Sequence, residues 1–287
     1  MISRPEQVTV IGLGLIGGSL GMAVKKYLPE CRVKGYARRP ETAALAEQKG
    51  AIDEASATLK DAVAGARLVV IATPVLTTKD IFKEIAPLLG PDAIVTDVGS
   101  TKSAVMELAR EYLPRGISFI GGHPMAGKEN SGIEFAEADL FVNKVYCLTP
   151  AQDASHEALA YVKNVVTGIK ARPLVVEPGR HDHFVAGISH LPFLLSVALM
   201  DVCSHDPSWS EMSELASSGF RDMTRLASGD PVMYRDICAT NAEEISDFID
   251  DLCSELQATK PLLHDPNGIA HLFARARQAR ENWLKGQ

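Results

Sequence analysis

Apolar residues follow two rhythms along this chain. Up to about residue 177, short continuous apolar runs alternate with segments whose apolar positions recur every three or four residues. Beyond that point only the second rhythm persists. The runs 8–13, 32–36, 67–72, 93–97, 118–121, 145–149 and 173–176 predict strands; 14–27 predicts a turn and helix, and 42–48, 78–89, 103–112 and 159–169 predict further helices between them. Continuous apolar strands alternating with helices predict a doubly wound α/β domain, a parallel sheet covered on both faces. After Pro178 the apolar residues Phe184, Ile188, Leu191, Leu195 and Leu199, and later Ile245, Ile249, Leu252 and Leu256, repeat at helical spacing. We therefore expect a sheet domain over 1–177 and an all-α domain over 178–287. The segment 184–203 is apolar nearly all round, which requires burial on most sides. About 110 residues offer few neighbours for it, so a second copy of the chain is the expected cover. Its most apolar part, 191–200, is shorter than the ~20 residues a membrane span needs.

The best-defined motif sits where the first strand meets the first helix. Gly12-Leu13-Gly14-Leu15-Ile16-Gly17 places three glycines at the spacing of a dinucleotide-binding Rossmann turn. The first permits the tight turn, the second lets backbone approach a pyrophosphate, and the third lets helix and strand pack closely. The helix N-terminus then offers free N–H groups to the phosphates. Thr73 and Pro74 follow the strand predicted beside it. At the end of the second strand, where an acidic residue usually binds a ribose 2′-hydroxyl, this chain has Ala37 followed by Arg38 and Arg39. Arginines suit a 2′-phosphate, so NADP is expected to be accepted at least as well as NAD.

Two further loops fall at strand ends, where ligands collect in open α/β sheets. One is Asp97-Val98-Gly99-Ser100-Thr101-Lys102, the other Gly121-Gly122-His123-Pro124-Met125-Ala126-Gly127. A histidine held between glycines and a proline can take a proton from a hydroxyl as hydride leaves.

Composition narrows the classes further. A net charge of −7 is the wrong sign for a non-specific nucleic-acid binder, while a few placed arginines still suit a small anionic substrate. The first seven residues lack the apolar run of a signal peptide. Five scattered cysteines without a CxxC pair fit a reduced, cytoplasmic protein. His181-Asp182-His183 looks like a metal pair, but residues two apart on a helix do not face each other, so no metal site is expected.

Taken together, the glycine turn, the Asp97–Lys102 and Gly122–Gly127 segments, Ser189-His190-Leu191-Pro192, Phe220-Arg221-Asp222-Met223-Thr224-Arg225 and Asp230-Pro231-Val232-Met233-Tyr234-Arg235 resemble the prephenate/arogenate dehydrogenase family. The motifs run in that family's order along nearly the whole chain. The resemblance implies oxidative decarboxylation of prephenate or arogenate with hydride transfer to NAD(P), on the way to tyrosine. It also implies a homodimer formed through the helical domain. By it His123 is the catalytic residue at the ring hydroxyl, Ser100 helps position it, and Arg225 holds the ring carboxylate. His190, Glu129 and Tyr234 fall at substrate-side positions. Phe193 stands where many relatives have a second histidine, and Tyr234 where many have tryptophan. These departures leave prephenate versus arogenate open. Two other readings also stay open: a β-hydroxyacid-type dehydrogenase, for which no helix-borne lysine motif is found, and a non-catalytic NADP sensor.

Overall fold

The computed structural model describes residues 6–128 and 130–286. By internal packing the chain falls into two units, Met1–Ala242 and Glu243–Gln287.

The first unit opens with β1 (Gln7–Ile11), α1 (Leu15–Tyr27), β2 (Arg32–Tyr36), α2 (Pro40–Gln48), β3 (Glu54–Ala55) and α3 (Leu59–Val63). It continues with β4 (Leu68–Ile71), α4 (Thr78–Ile85), β5 (Ile94–Asp97), α5 (Ser103–Tyr112) and β6 (Ser118–Pro124). Then come β7 (Val145–Pro150), α6 (His156–Gly168) and β8 (Arg172–Val175). The eight strands form one sheet in the order β3-β2-β1-β4-β5-β6-β7-β8. The order in which strands are added reverses between β1 and β4, which opens a crevice at their carboxyl ends.

Alternation along the buried strands feeds two cores. Val8, Val10, Leu68 and Val70 face the layer containing α1, α2 and α6, with Leu20, Val24, Val162 and Val166. Ile11, Val69, Ile71, Val95 and Phe119 face the layer of α3, α4 and α5, where Phe82 meets Phe119 edge to face at 5.5 Å. Helices on both faces are what the apolar strands require.

The sheet departs from the expected all-parallel form at one join. β6 pairs antiparallel with β7, while β7 and β8 run parallel. A parallel neighbour needs a helical crossover. Among the described residues, the segment between β6 and β7 holds only a short 3₁₀ turn at Ile133–Phe135, so the chain returns the way it came. The connection from β7 to β8 contains α6 and restores the parallel sense.

Beyond β8 the described residues contain no strand. α7 (Pro178–Val185) and α8 (Leu191–Ser204) are joined without a break by a π-helical turn at Ala186–His190. The resulting helix runs 27 residues, so the short apolar segment expected at 191–200 is part of a much longer one. By length and composition alone it could cross a membrane, yet one side of it is tied to the start of α5. Asp182 accepts from the backbone N–H groups of Lys102 and Ser103, both at 2.7 Å. α9 (Trp209–Glu214), α10 (Ser218–Thr224), a 3₁₀ turn at Arg225–Ser228 and α11 (Pro231–Thr240) complete the unit. The second unit consists of α12 (Ala242–Leu262), which begins one residue earlier, and α13 (Pro266–Lys285). Within it the two helices fold back on one another, with Arg275 donating to Glu255 at 3.1 Å.

Candidate active site

The glycine turn is built as its spacing predicts. Gly12 has φ +101°, and a side chain there would meet the Ala72 carbonyl within 2.5 Å. A Cβ on Gly17 would lie 1.9 Å from the Gly12 carbonyl oxygen. Gly14 faces open space, with no atom within 4 Å of where a Cβ would stand. It is the N-cap of α1, makes no side-chain cap, and is followed by no acidic residue in the first turn. Leu15 and Ile16 carry the helix away from that point. Thr73, just beyond β4, has a buried hydroxyl with no hydrogen-bond partner, and Pro74 beside it is exposed. An uncapped helix end, a bare glycine and an orphaned hydroxyl around one crevice fit the pyrophosphate of a dinucleotide. Gly12 donates to the Tyr36 carbonyl at 2.9 Å, which brings Ala37, Arg38 and Arg39 next to the turn. Both arginines are exposed.

The next two strand ends meet around Asp97. Its carboxylate accepts from the backbone N–H of Gly99 at 2.8 Å and of Gly122 at 2.9 Å, and it pairs with the Lys102 ammonium. Lys102 is fully buried and also donates to the Gly122 carbonyl at 2.6 Å. Burial pushes its pKa down, against the Asp97 charge that pushes it up. This pair locks the loop carrying half-buried Ser100 to the strand carrying His123.

His123 lies at the carboxyl end of β6 and is 9% exposed. Burial holds its pKa well below the ordinary histidine range, and His181, Lys102 and His190 push the same way. It is therefore neutral at neutral pH and able to accept a proton. Its Nδ1 lies 2.9 Å from Nε2 of His181, whose Nδ1 lies 2.8 Å from the Asp182 carboxylate. Burial alone would raise the Asp182 carboxyl, but hydrogen bonds from His181, Ser103 and Lys102 bring it below its usual value. Sequence reasoning did not place His181 and Asp182 in the site. His183 is exposed on the far side of the helix, as a spacing of two requires.

His190 sits in the π-helical turn, 1% exposed. The side-chain amide of Asn241 donates to its Nδ1 at 3.2 Å, and its Nε2 has no partner. Burial chiefly takes its pKa down to about 4. Phe193, one turn on, stacks flat on Tyr234 at 4.0 Å. The Tyr234 hydroxyl donates to the Leu226 carbonyl at 2.8 Å, and Ser196 accepts from the Ala227 N–H at 3.0 Å. Tyr234 thus braces the 3₁₀ turn that begins with exposed Arg225, whose charge acts on the Tyr234 hydroxyl. Glu129 lies outside the described residues.

The chain is similar to known proteins along most of its length. Residues 20–175 match the model of the prephenate dehydrogenase nucleotide-binding domain, and residues 177–274 match the prephenate dehydrogenase dimerization domain. The chain belongs to the prephenate dehydrogenase family. It is 35% identical over 285 residues to prephenate dehydrogenase of Bacillus subtilis, covering 98% of this chain and 77% of that one. It is 30% identical over 279 residues to cyclohexadienyl dehydrogenase of Zymomonas mobilis, covering 96% and 95%. A crystal structure of prephenate dehydrogenase from A. aeolicus, in complex with hydroxyphenyl propionate and NAD+, superposes with a TM-score of 0.90 at 29% identity. That match covers 98% of this chain and 99% of the other. The protein is accordingly a nicotinamide-dependent oxidoreductase, a dehydrogenase of prephenate or arogenate. Family matches to both halves do not favour a β-hydroxyacid dehydrogenase or a non-catalytic sensor.

Proposed function

We propose that His123 accepts the proton of the substrate's ring hydroxyl during oxidation and returns it once the ring is aromatic. The observation that carries this reading is a buried, neutral imidazole at a strand end, one loop away from the dinucleotide crevice. Bound there, the nicotinamide supplies the redox chemistry by taking a hydride from the ring carbon bearing the hydroxyl. His123 takes the hydroxyl proton as that carbon becomes a carbonyl. The ring carboxylate leaves as carbon dioxide, its electron pair aromatises the ring, and the oxygen recovers the proton from His123. Ser100 orients the same hydroxyl from the loop locked by Asp97 and Lys102. Arg225, on its braced turn, holds the ring carboxylate. His190 offers its unpartnered Nε2–H to the substrate, and Glu129 and Tyr234 belong to that side of the site.

Gly12, Gly14, Leu15, Ile16, Gly17, Thr73 and Pro74 hold the dinucleotide. Arg38 and Arg39 take the 2′-phosphate of NADP, which is used at least as well as NAD. A functional boundary at Pro178 separates a nucleotide-binding part, 1–177, from a substrate and dimerisation part, 178–287. The working form is a homodimer in the cytoplasm, a setting that suits five unpaired cysteines. Replacing His123 tests the reading. His123→Asn should lower turnover ~100-fold or more, the scale of a general base, with cofactor affinity little changed. Wild-type turnover in that variant would refute the assignment.

A further inference from the structure

A buried imidazole can carry its proton on either nitrogen, and only one tautomer can act as the base proposed above. His123 must keep Nε2 bare to receive a proton from substrate, since its Nδ1 is already engaged with His181. Nothing in β6 itself decides which nitrogen is protonated.

The decision comes from α7. Asp182 is 2% exposed, and its two carboxylate oxygens accept from the backbone N–H groups of Lys102 and Ser103. Backbone amides can only donate, so they hold the carboxyl as an anion with no room for its own proton. The anion must therefore accept from its third neighbour, His181 Nδ1, at 2.8 Å. The relay takes His181 as the singly protonated ring, which donates from Nδ1 and keeps a lone pair on Nε2; a doubly protonated His181 would donate to His123 instead and leave the His123 proton on Nε2. That lone pair faces His123 Nδ1 at 2.9 Å, so His123 must be the donor there. His181 is itself 1% exposed, so no solvent competes for either of its nitrogens.

We propose that His181 and Asp182 are positioning residues, a two-step relay that fixes His123 as the Nδ1–H tautomer with its lone pair on Nε2. The inference rests on His123 being the base. When His123 takes the substrate's proton on Nε2 it becomes a cation, still donating through Nδ1, and the Asp182 anion lies one imidazole away. Through His181 that anion offsets the buried Lys102 ammonium, which disfavours a second positive charge. Asp182 also holds the start of α5 through Lys102 and Ser103, so the relay is anchored to the helix that follows the Ser100 loop.

The test separates positioning from fold maintenance by comparing two substitutions. His181→Gln places a carboxamide oxygen and nitrogen at a spacing like that of the ring nitrogens, so it can accept from His123 and donate to Asp182. His181→Leu can do neither. We expect turnover of His181→Leu to fall ~100-fold with the cofactor KM unchanged, the range of lost acid–base catalysis, while His181→Gln stays within ~tenfold of wild type. Long-range proton–nitrogen NMR correlations on the wild-type protein, with His123 assigned by its loss in His123→Asn, should show a protonated Nδ1 and a bare Nε2. A protonated Nε2 on His123 overturns the relay, even if His181→Leu fails to fold. So does full turnover in His181→Leu while His123→Asn is inactive. Full turnover in His123→Asn would instead remove the base itself, and the proton's place on His123 would then decide for or against the relay alone.

Discussion

Strands β1, β4 and β5 are buried along nearly their whole lengths. The helix Pro178–Ser204, also strongly apolar, leaves Phe184, Ile188, Val197 and Val202 exposed, and α8 buries only Phe193 and Ser196. These strands find cover within their own chain because helices fold back onto both of their faces. The long helix finds cover on one side only. The buried side carries polar groups, His181, Asp182, His190 and Ser196, each engaged by a partner in β6, at the start of α5, or in α11 and its neighbours. The exposed side carries mostly apolar bulk. A helix whose chemistry points inward and whose apolar surface points outward is suited to complete a site on one side and pair with a second copy on the other.

The comparison can be broken most severely in the sheet. Phe82 is fully buried against Phe119, so Phe82→Ala should cost about 3–5 kcal/mol of unfolding free energy. Denaturant melts measure it, and a loss under about 1 kcal/mol would mean that the sheet core is not close-packed.

A pH titration of stability probes the polar side of the long helix. The His190 pKa is lowered to about 4, from an unfolded value near 6.5. Above pH 6.5 both states leave it neutral. Between about 6.5 and 4 the unfolded chain binds a proton that the folded chain refuses, so stability falls as pH falls. The loss from this residue should be on the order of 3 kcal/mol by pH 4. His123, also lowered, should add to the loss in the same direction. Melting at stepped pH checks the sign, and flat stability down to about pH 4 would contradict burial of these neutral rings.

The exposed side of the helix is tested by charge. Ile188 is 72% and Val202 73% exposed within one chain, so Ile188→Lys or Val202→Lys should hardly change a monomer. In a dimer through this face each should weaken association at least ~tenfold, visible by light scattering or sedimentation. A stable, active wild-type monomer would leave the apolar face unexplained by pairing. The smallest effect is expected at the nucleotide crevice. Arg38→Ala should lower efficiency with NADP ~tenfold and leave NAD unchanged, as loss of one charge-assisted bond would. Ala37→Asp should turn preference toward NAD.

How much of this could be read along the chain depended on the distance over which each feature is specified. The apolar runs of β1, β2, β4, β5 and β8 and the glycine turn are local, and they appear within a residue or two of where the sequence puts them. β3 has two residues, and α3 has five with only Leu59, Ala62 and Val63 buried. Elements that short carry no period to detect. The antiparallel direction of β7 was invisible because apolar alternation has no sense of direction. The π-helical turn at Ala186–His190 lies inside an unbroken helical pattern. The His123-His181 contact spans 58 residues, and along the chain His181 shows itself only beside His183, as half of a pair whose spacing rules out a metal. What pointed to His123 was its fixed place at a strand end. Its partner could be found only once α7 was packed against α5.

The central claim is that this chain oxidises prephenate or arogenate with His123 as the base. It is tested most directly by following reduced-cofactor absorbance with both substrates and both cofactors, for the wild type and His123→Asn side by side. The account predicts robust wild-type turnover with at least one substrate, with NADP serving at least as well as NAD, and a fall of ~100-fold or more in the variant. Wild-type turnover in His123→Asn, or no reduction of either cofactor by the folded wild-type protein, would contradict it.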